Sequence, residues 1–196
     1  MTKQRILFIT TGGTIASVHT PQGLRPVLSS DELLAHLPEL NDLCIPETLA
    51  LCSIDSTDLG QEHWLMMARA IQENYALYDG FIICHGTDTL AYSAAALSYL
   101  IQNADKPIIL TGAQQPISNE ITDAKKNLRD SVICALDPGS RAGTSLPAPA
   151  PKRTRPSATT PLPRSTSRSW HWCRATVWCA MCLRPGPPAR WSSAAP

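Results

Sequence analysis

The chain has 196 residues, and its 17 Lys and Arg nearly balance 16 Asp and Glu, for a net charge of +1; no nucleic-acid partner is expected, although that overall balance is misleading. No run reaches the ~18 apolar residues of a membrane span, and after Lys3 and Arg5 only four strongly apolar residues precede a polar turn, so no secretory signal is expected either. The balance hides two unlike pieces: residues 1–137 hold all 16 acidic side chains and 8 basic ones, whereas residues 138–196 hold 9 basic and no acidic ones.

The apolar run Ile6-Leu7-Phe8-Ile9 reads as a buried strand, and Thr10-Thr11-Gly12-Gly13-Thr14 follows it directly. Two glycines permit a sharp turn with positive φ and leave backbone N–H groups open. Such a turn sets Thr14 over the carboxyl end of the strand, where open α/β sheets hold ligands. On these residues alone a plain strand end with a capping threonine is the simpler reading. Val18 to Val27, broken by Pro21, Gly23 and Pro26, reads as a loop that is either a connection or a lid over the crevice. Ser30 caps a helix with Asp31 and Glu32 in its first turn and Leu33, Leu34 and Leu37 on its apolar face, and Pro38 stops it.

Leu49 to Ile54 reads as a second strand ending in Asp55-Ser56-Thr57-Asp58, either the cap of the next helix or a polar cradle for a ligand. In one arrangement Thr57 or Asp58 caps while Asp55 and Ser56 point into the crevice. Trp64, Met67, Ala68, Ile71 and Tyr75 recur at helical spacing and mark a core face, with Asp79 and Gly80 closing that helix. Phe81-Ile82-Ile83-Cys84 is continuously apolar, as a strand covered on both faces should be. It runs into His85-Gly86-Thr87-Asp88-Thr89, where a hydroxyl again follows a glycine and now has a carboxylate beside it to orient it. His85 is a general base or a hydrogen-bonded structural residue.

Leu90, Ala94, Leu97 and Ile101 mark a buried helix, and Ile108-Ile109-Leu110 a fourth strand that ends in the turn Thr111 to Pro116. Thr122 caps a last helix with Leu128, Val132, Ala135 and Leu136 on one face. Asp123 suits the positive end of that helix, whereas Lys125 and Lys126 do not, which implies a partner for one of them. Strand and helix thus alternate four times. Right-handed crossovers then give an α/β fold, a doubly wound parallel sheet with flanking helices. Cys44, Cys52, Cys84 and Cys134 lack paired spacing and read as reduced core thiols, which points to the cytoplasm.

Two strings, TTGGTIAS at residues 10–17 and GFIICHGTDTL at residues 80–90, resemble the two signature motifs of the L-asparaginases. The intervening IDSTD and the later TDAKKN resemble the cytoplasmic bacterial type I branch. The resemblance runs from Lys3 to about Leu136. It implies hydrolysis of the side-chain amide of L-asparagine to L-aspartate and ammonia, with no metal and no cofactor. It also implies a catalytic set of Thr14, Thr87 and Asp88, with Thr14 as the nucleophile that forms an acyl-enzyme. The same resemblance assigns substrate binding to Asp55, Ser56, Thr57, Thr87 and Asp88, and it implies a homo-oligomer, dimer or tetramer. Related amidotransferase subunits that release ammonia for a partner enzyme carry the same motifs.

Two departures stand against it. Many members carry a tyrosine in the loop after the first motif, where this chain has Leu24. The lysine that activates the second threonine in the family lies downstream of the TDAKKN helix, where the resemblance has ended; Lys125 and Lys126 do not match it, and Lys152 sits in no matching motif. Residues 138–196 hold 11 of the 17 prolines and four of the five tryptophans but one Val, three Leu and no Ile, Phe or Tyr. Such a Pro/Arg/Ser-rich tail cannot bury enough apolar surface to offset ordering and is expected to be mostly disordered, as an unrelated out-of-frame product would be. Trp170, Trp172, Trp178 and Trp191 among basic residues would suit nucleic acid, and His171, Cys173, Cys179 and Cys182 would suit zinc, but neither set has a fold around it. The domain reading is therefore 1–137 as an asparaginase N-terminal domain and 138–196 as an unrelated tail, with little or no activity expected of the whole.

Overall fold

The computed structural model describes residues 2–21, 23–26, 28–102 and 104–137. The tail, with its tryptophans, cysteines and Lys152, lies outside the described residues. The elements in order are β1 (Arg5–Gly12), β2 (Ser17–Thr20), β3 (Gly23–Pro26), α1 (Ser30–Ala35), α2 (Leu40–Leu43), β4 (Ile45–Ile54), α3 (Gln61–Asn74), β5 (Gly80–Cys84), α4 (Leu90–Leu100), β6 (Ile108–Thr111) and α5 (Ala124–Leu136).

Four strands form one sheet in the order β4-β1-β5-β6, and every pairing in it is parallel. Successive side chains of a strand point to opposite faces, so β1 divides its apolar residues between two cores. Ile6 and Phe8 meet Leu33 and Leu37 near α1, Leu40 of α2, and Leu128, Val132 and Ala135 of α5. Leu7 and Ile9 meet Met67 and Ile71 of α3 with Leu90, Ala94 and Leu97 of α4. The fold is thus the doubly wound α/β sheet that the alternation of strands and helices implies. Phe8 and Phe81, one on each face, are fully buried and each contributes about 1.5–3 kcal/mol through removal from water. Pro46 suits the outer edge of β4: the Ile45 N–H is donated inward to Gln4 O at 2.8 Å, so the next position faces outward, where a missing N–H leaves no ladder bond broken.

Several local expectations are corrected. Residues 18–27 are not an irregular loop: β2 and β3 form an antiparallel hairpin from the Ser17–Pro26 pair to the Thr20–Gly23 pair. Its turn is closed by the Thr20 hydroxyl, which donates to Gly23 O at 2.7 Å, while Gly23 takes a φ of +108° that few other residues adopt. Leu24 stands on β3 opposite His19; its side chain lies outside what is described. The cap of α1 is Ser29 rather than Ser30. Ser29 Oγ accepts the Glu32 N–H, and Glu32 accepts the Ser29 N–H at 2.8 Å, a reciprocal pair that satisfies two orphan donors. Ser30 instead turns inward and shares a hydrogen bond with Thr10 at 2.7 Å. Asp79 and Gly80 do not close α3, which ends at Asn74; Asp79 accepts the Arg5 N–H at 2.9 Å and Gly80 opens β5. Two strands also run longer than the apolar runs suggest, because Thr10, Thr11 and Gly12 continue β1 and Ile45 to Thr48 begin β4.

Candidate functional site

The turns after β1, β4, β5 and β6 meet at the carboxyl end of the sheet, and glycines allow the meeting. A Cβ on Gly12 would stand 2.5 Å from Ile54 O, one on Gly13 2.5 Å from the Gly86 Cα, and one on Gly86 2.5 Å from Ser56 Oγ. A Cβ on Gly112 would stand 2.5 Å from His85 O and 3.3 Å from the Thr87 methyl. Gly13 has φ 75° and ψ −179°, a conformation nearly confined to glycine. Its N–H is donated to Ile54 O at 3.2 Å, and its carbonyl accepts from the Ser17 hydroxyl at 2.9 Å. The Thr11 hydroxyl ties the end of β1 to Cys84 O at 3.1 Å.

On this frame Thr14 opens a 3-10 turn, Thr14–Ala16, whose Ile15 and Ala16 are buried while Thr14 is half-buried. Thr87 is half-buried and Asp88 exposed. Among the described residues the side chains of Thr14, Thr87 and Asp88 make no hydrogen bond, so the carboxylate beside Thr87 does not bond to its neighbour. Ser56 is 97% buried against Gly86, and its carbonyl accepts from the Thr89 hydroxyl at 2.7 Å. Asp55 stands on the exposed rim. None of Asp55, Thr57 and Asp58 caps α3, whose cap is Gly60; Asp55 instead caps the short 3-10 turn Ser56–Asp58, where one carboxylate oxygen accepts both the N–H and the hydroxyl of Thr57 at 2.9 Å. Those bonds, the backbone one first, hold its pKa below the usual 3.8.

His85 is fully buried and structural. Its Nδ1 lies 2.6 Å from Gly86 O and its Nε2 2.8 Å from Ser93 Oγ, which also accepts from Trp64 Nε1 at 2.9 Å. A carbonyl can only accept, so Nδ1 carries the proton; in the neutral ring Nε2 then accepts from the Ser93 hydroxyl. Burial lowers the pKa below 6.5, against the opposing hydrogen bond to Gly86. This chain from α3 through α4 to Gly86 was not legible in sequence, because Trp64 and Ser93 carry ordinary core spacing. Its pH signature follows from linkage. Below pH 6.5 the unfolded chain takes up a proton that the folded ring rejects, so stability from this group is complete above 6.5 and falls as pH drops through that value toward the folded pKa. Urea midpoints at pH 7.5 and 5.5 should show this loss in the wild type and a smaller one in His85→Gln.

Of the two helix lysines, Lys126 has the implied partner, Asp130 one turn later at 2.5 Å. A groove of about 480 Å³ lined by Asp31, Leu34, Pro38, Asn41, Pro46, Glu47 and neighbours contains none of the threonine-turn residues. Its Thr48 hydroxyl already donates to Asp31 at 2.5 Å. Among the described residues no group of three or more His, Cys, Asp or Glu could hold a metal ion, and no helix is long and apolar enough to cross a membrane.

Residues 5–146 match the asparaginase N-terminal family model, so the match runs past Asp137 into residues outside those described. The chain is 41% identical over 132 residues to the L-asparaginase of Thermococcus kodakarensis, covering 67% of this chain and 40% of that one; the solved structure of that enzyme superposes with a TM-score of 0.63. It is 40% identical over 143 residues to L-asparaginase 1 of Escherichia coli K12, covering 70% and 42%. It is 34% identical over 136 residues to a glutamyl-tRNA(Gln) amidotransferase subunit of Saccharolobus solfataricus, covering 68% and 31%. The chain therefore spans well under half the length of the relatives it matches. With a family match over residues 5–146 and a solved structure of the same fold over 67% of the chain, the chain belongs to the asparaginase family.

Proposed function

We propose that residues 1–137 are the N-terminal part of an L-asparaginase that hydrolyses L-asparagine to L-aspartate and ammonia. In this reading the Thr14 hydroxyl attacks the side-chain amide carbon, the C–N bond breaks with release of ammonia, and the resulting ester is cleaved by water. Thr87 positions the attacking group and later the water. Asp88 and Asp55 accept the α-ammonium, and Ser56 with Thr57 binds the α-carboxylate. Backbone N–H groups at the glycine turns stabilise the oxyanion. The observation that carries the reading is the close approach of Gly13 to Gly86 and of Gly86 to Ser56, which supports a single crevice shared by three turns. Cytoplasmic location and a homo-oligomeric assembly belong to the same proposal.

The set is incomplete in this chain, since no lysine matches the family's activating lysine. Loss of one member of a coupled set removes several orders of magnitude of rate. Purified 196-residue protein should therefore release ammonia from L-asparagine at close to the buffer rate, and turnover near that of a full-length relative would refute this. Calorimetry with L-asparagine and L-aspartate separates an amino-acid-binding remnant from a chain that binds neither. The Saccharolobus similarity favours a second reading, an ammonia-releasing component of an amidotransferase. That reading requires ammonia release to depend on a partner protein and tRNA.

A further inference from the structure

The turn after β6 is held from outside. Asp123 Oδ1 accepts the N–H groups of Gln114 and Gln115, each at 3.1 Å, and Oδ2 accepts the Gln114 N–H at 3.0 Å and the Asn127 amide at 3.3 Å. Asn127, 99% buried, donates the same amide group to Gly112 O at 2.9 Å. The start of α5 does not need the Asp123 carboxylate, because the Thr122 hydroxyl accepts the Ala124 N–H at 3.0 Å while donating to Gln115 O at 3.1 Å. An acid in the capping position is thus spent on the preceding turn.

That turn lies beside the second threonine motif. The His85 N–H is donated to Thr111 O at 2.8 Å, and Gly112 lies so close that a Cβ there would stand 3.3 Å from the Thr87 methyl. A β-branched side chain has few χ1 wells, so a methyl fixed against Gly112 also fixes the direction of the hydroxyl on the same carbon. We propose that Asp123, acting with Asn127, is a positioning residue for Thr87: it holds Gly112 in place and thereby aims the Thr87 hydroxyl. The inference rests on the reading of Thr87 as a site residue.

The test uses the 196-residue chain carrying Asp123→Ala or Asp123→Asn, with threonine methyl groups labelled for NMR. In Asp123→Ala, amide exchange at Gln114 and Gln115 should quicken about tenfold or more, since charge-assisted bonds hold those groups. The three-bond couplings of the Thr87 methyl should move toward rotamer averaging while those of Thr10, in the middle of the sheet, stay fixed. L-aspartate should bind about tenfold more weakly than to the wild type, with an intermediate effect in Asp123→Asn, which keeps one acceptor oxygen. Faster exchange with Thr87 couplings unchanged would overturn the proposal, leaving Asp123 a purely structural anchor. If Asp123→Ala does not fold, Asp123→Asn carries the same measurements. If the wild type binds no L-aspartate, the substrate reading fails in this chain, and the Thr87 couplings still decide the positioning.

Discussion

Gly13→Ala should lower the unfolding free energy by about 2–6 kcal/mol, read from urea denaturation. Two costs combine. The backbone at φ 75° and ψ −179° is nearly closed to residues with a Cβ, at about 1–3 kcal/mol. The added methyl would stand 2.5 Å from the Gly86 Cα and 2.6 Å from its nitrogen, and backbone cannot rotate away as a side chain can, so overpacking adds another 1–3 kcal/mol or so. Against a typical total of about 5–15 kcal/mol, this leaves a marginal domain. Gly23→Ala is the control. It shares a positive φ, +108°, but has nothing within 4 Å, so only conformational strain of roughly 1–2 kcal/mol applies. Equal losses in the two variants would mean that the β1 and β5 turns do not press together, and the shared crevice would lose its main support.

The largest kinetic effect is expected from joining residues 1–137 to the remainder of a longer relative. A chimera in which residues 1–137 are continued by the corresponding remainder of Escherichia coli L-asparaginase 1 should hydrolyse L-asparagine at least about a thousandfold faster than the 196-residue protein. Thr14, Thr87 and the rim residues stand ready in this reading, while the activating lysine lies in sequence this chain does not match. The 40% identity over 143 residues makes a junction near Asp137 reasonable. The comparison isolates one deficit at a time. A chimera that unfolds cooperatively but remains as slow as the parent would locate the fault within residues 1–137. Leu24, where many relatives carry tyrosine, would then be the first position to change.

Much of the fold is legible one residue at a time. Ile6 to Ile9, Phe81 to Cys84 and Ile108 to Leu110 are apolar on both faces because both faces are covered, and Met67, Ala68 and Ile71 recur at the spacing of one helix face. Glycine at the ends of β1, β5 and β6 marks their turns, and two threonine strings of that kind were enough to imply the family. The capping details were less legible. Ser29 and Ser30 are adjacent serines before an acidic turn, and only the Thr10 contact decides which one faces inward. The sequence puts a cap for α3 at Thr57 or Asp58 and turns Asp55 to the crevice, whereas Asp55 caps the 3-10 turn Ser56–Asp58 because its carboxylate lies within reach of the Thr57 N–H.

The sequence by itself determined where backbone must bend and which faces must be buried, since those follow from steric freedom at glycine and from periodicities of two and 3.6 residues along a single segment. Only the tertiary structure decided which bends meet. Gly13 touches Gly86, seventy-three residues away, because β1 and β5 are neighbours in the order β4-β1-β5-β6. The hairpin of residues 17–26, the buried chain from Trp64 through Ser93 to His85, and the hold of Asp123 on the turn beside Thr87 are likewise meetings of groups whose local patterns say nothing of one another. Local chemistry sets the shape of each turn, whereas strand order and the packing of helices across the sheet set its neighbours.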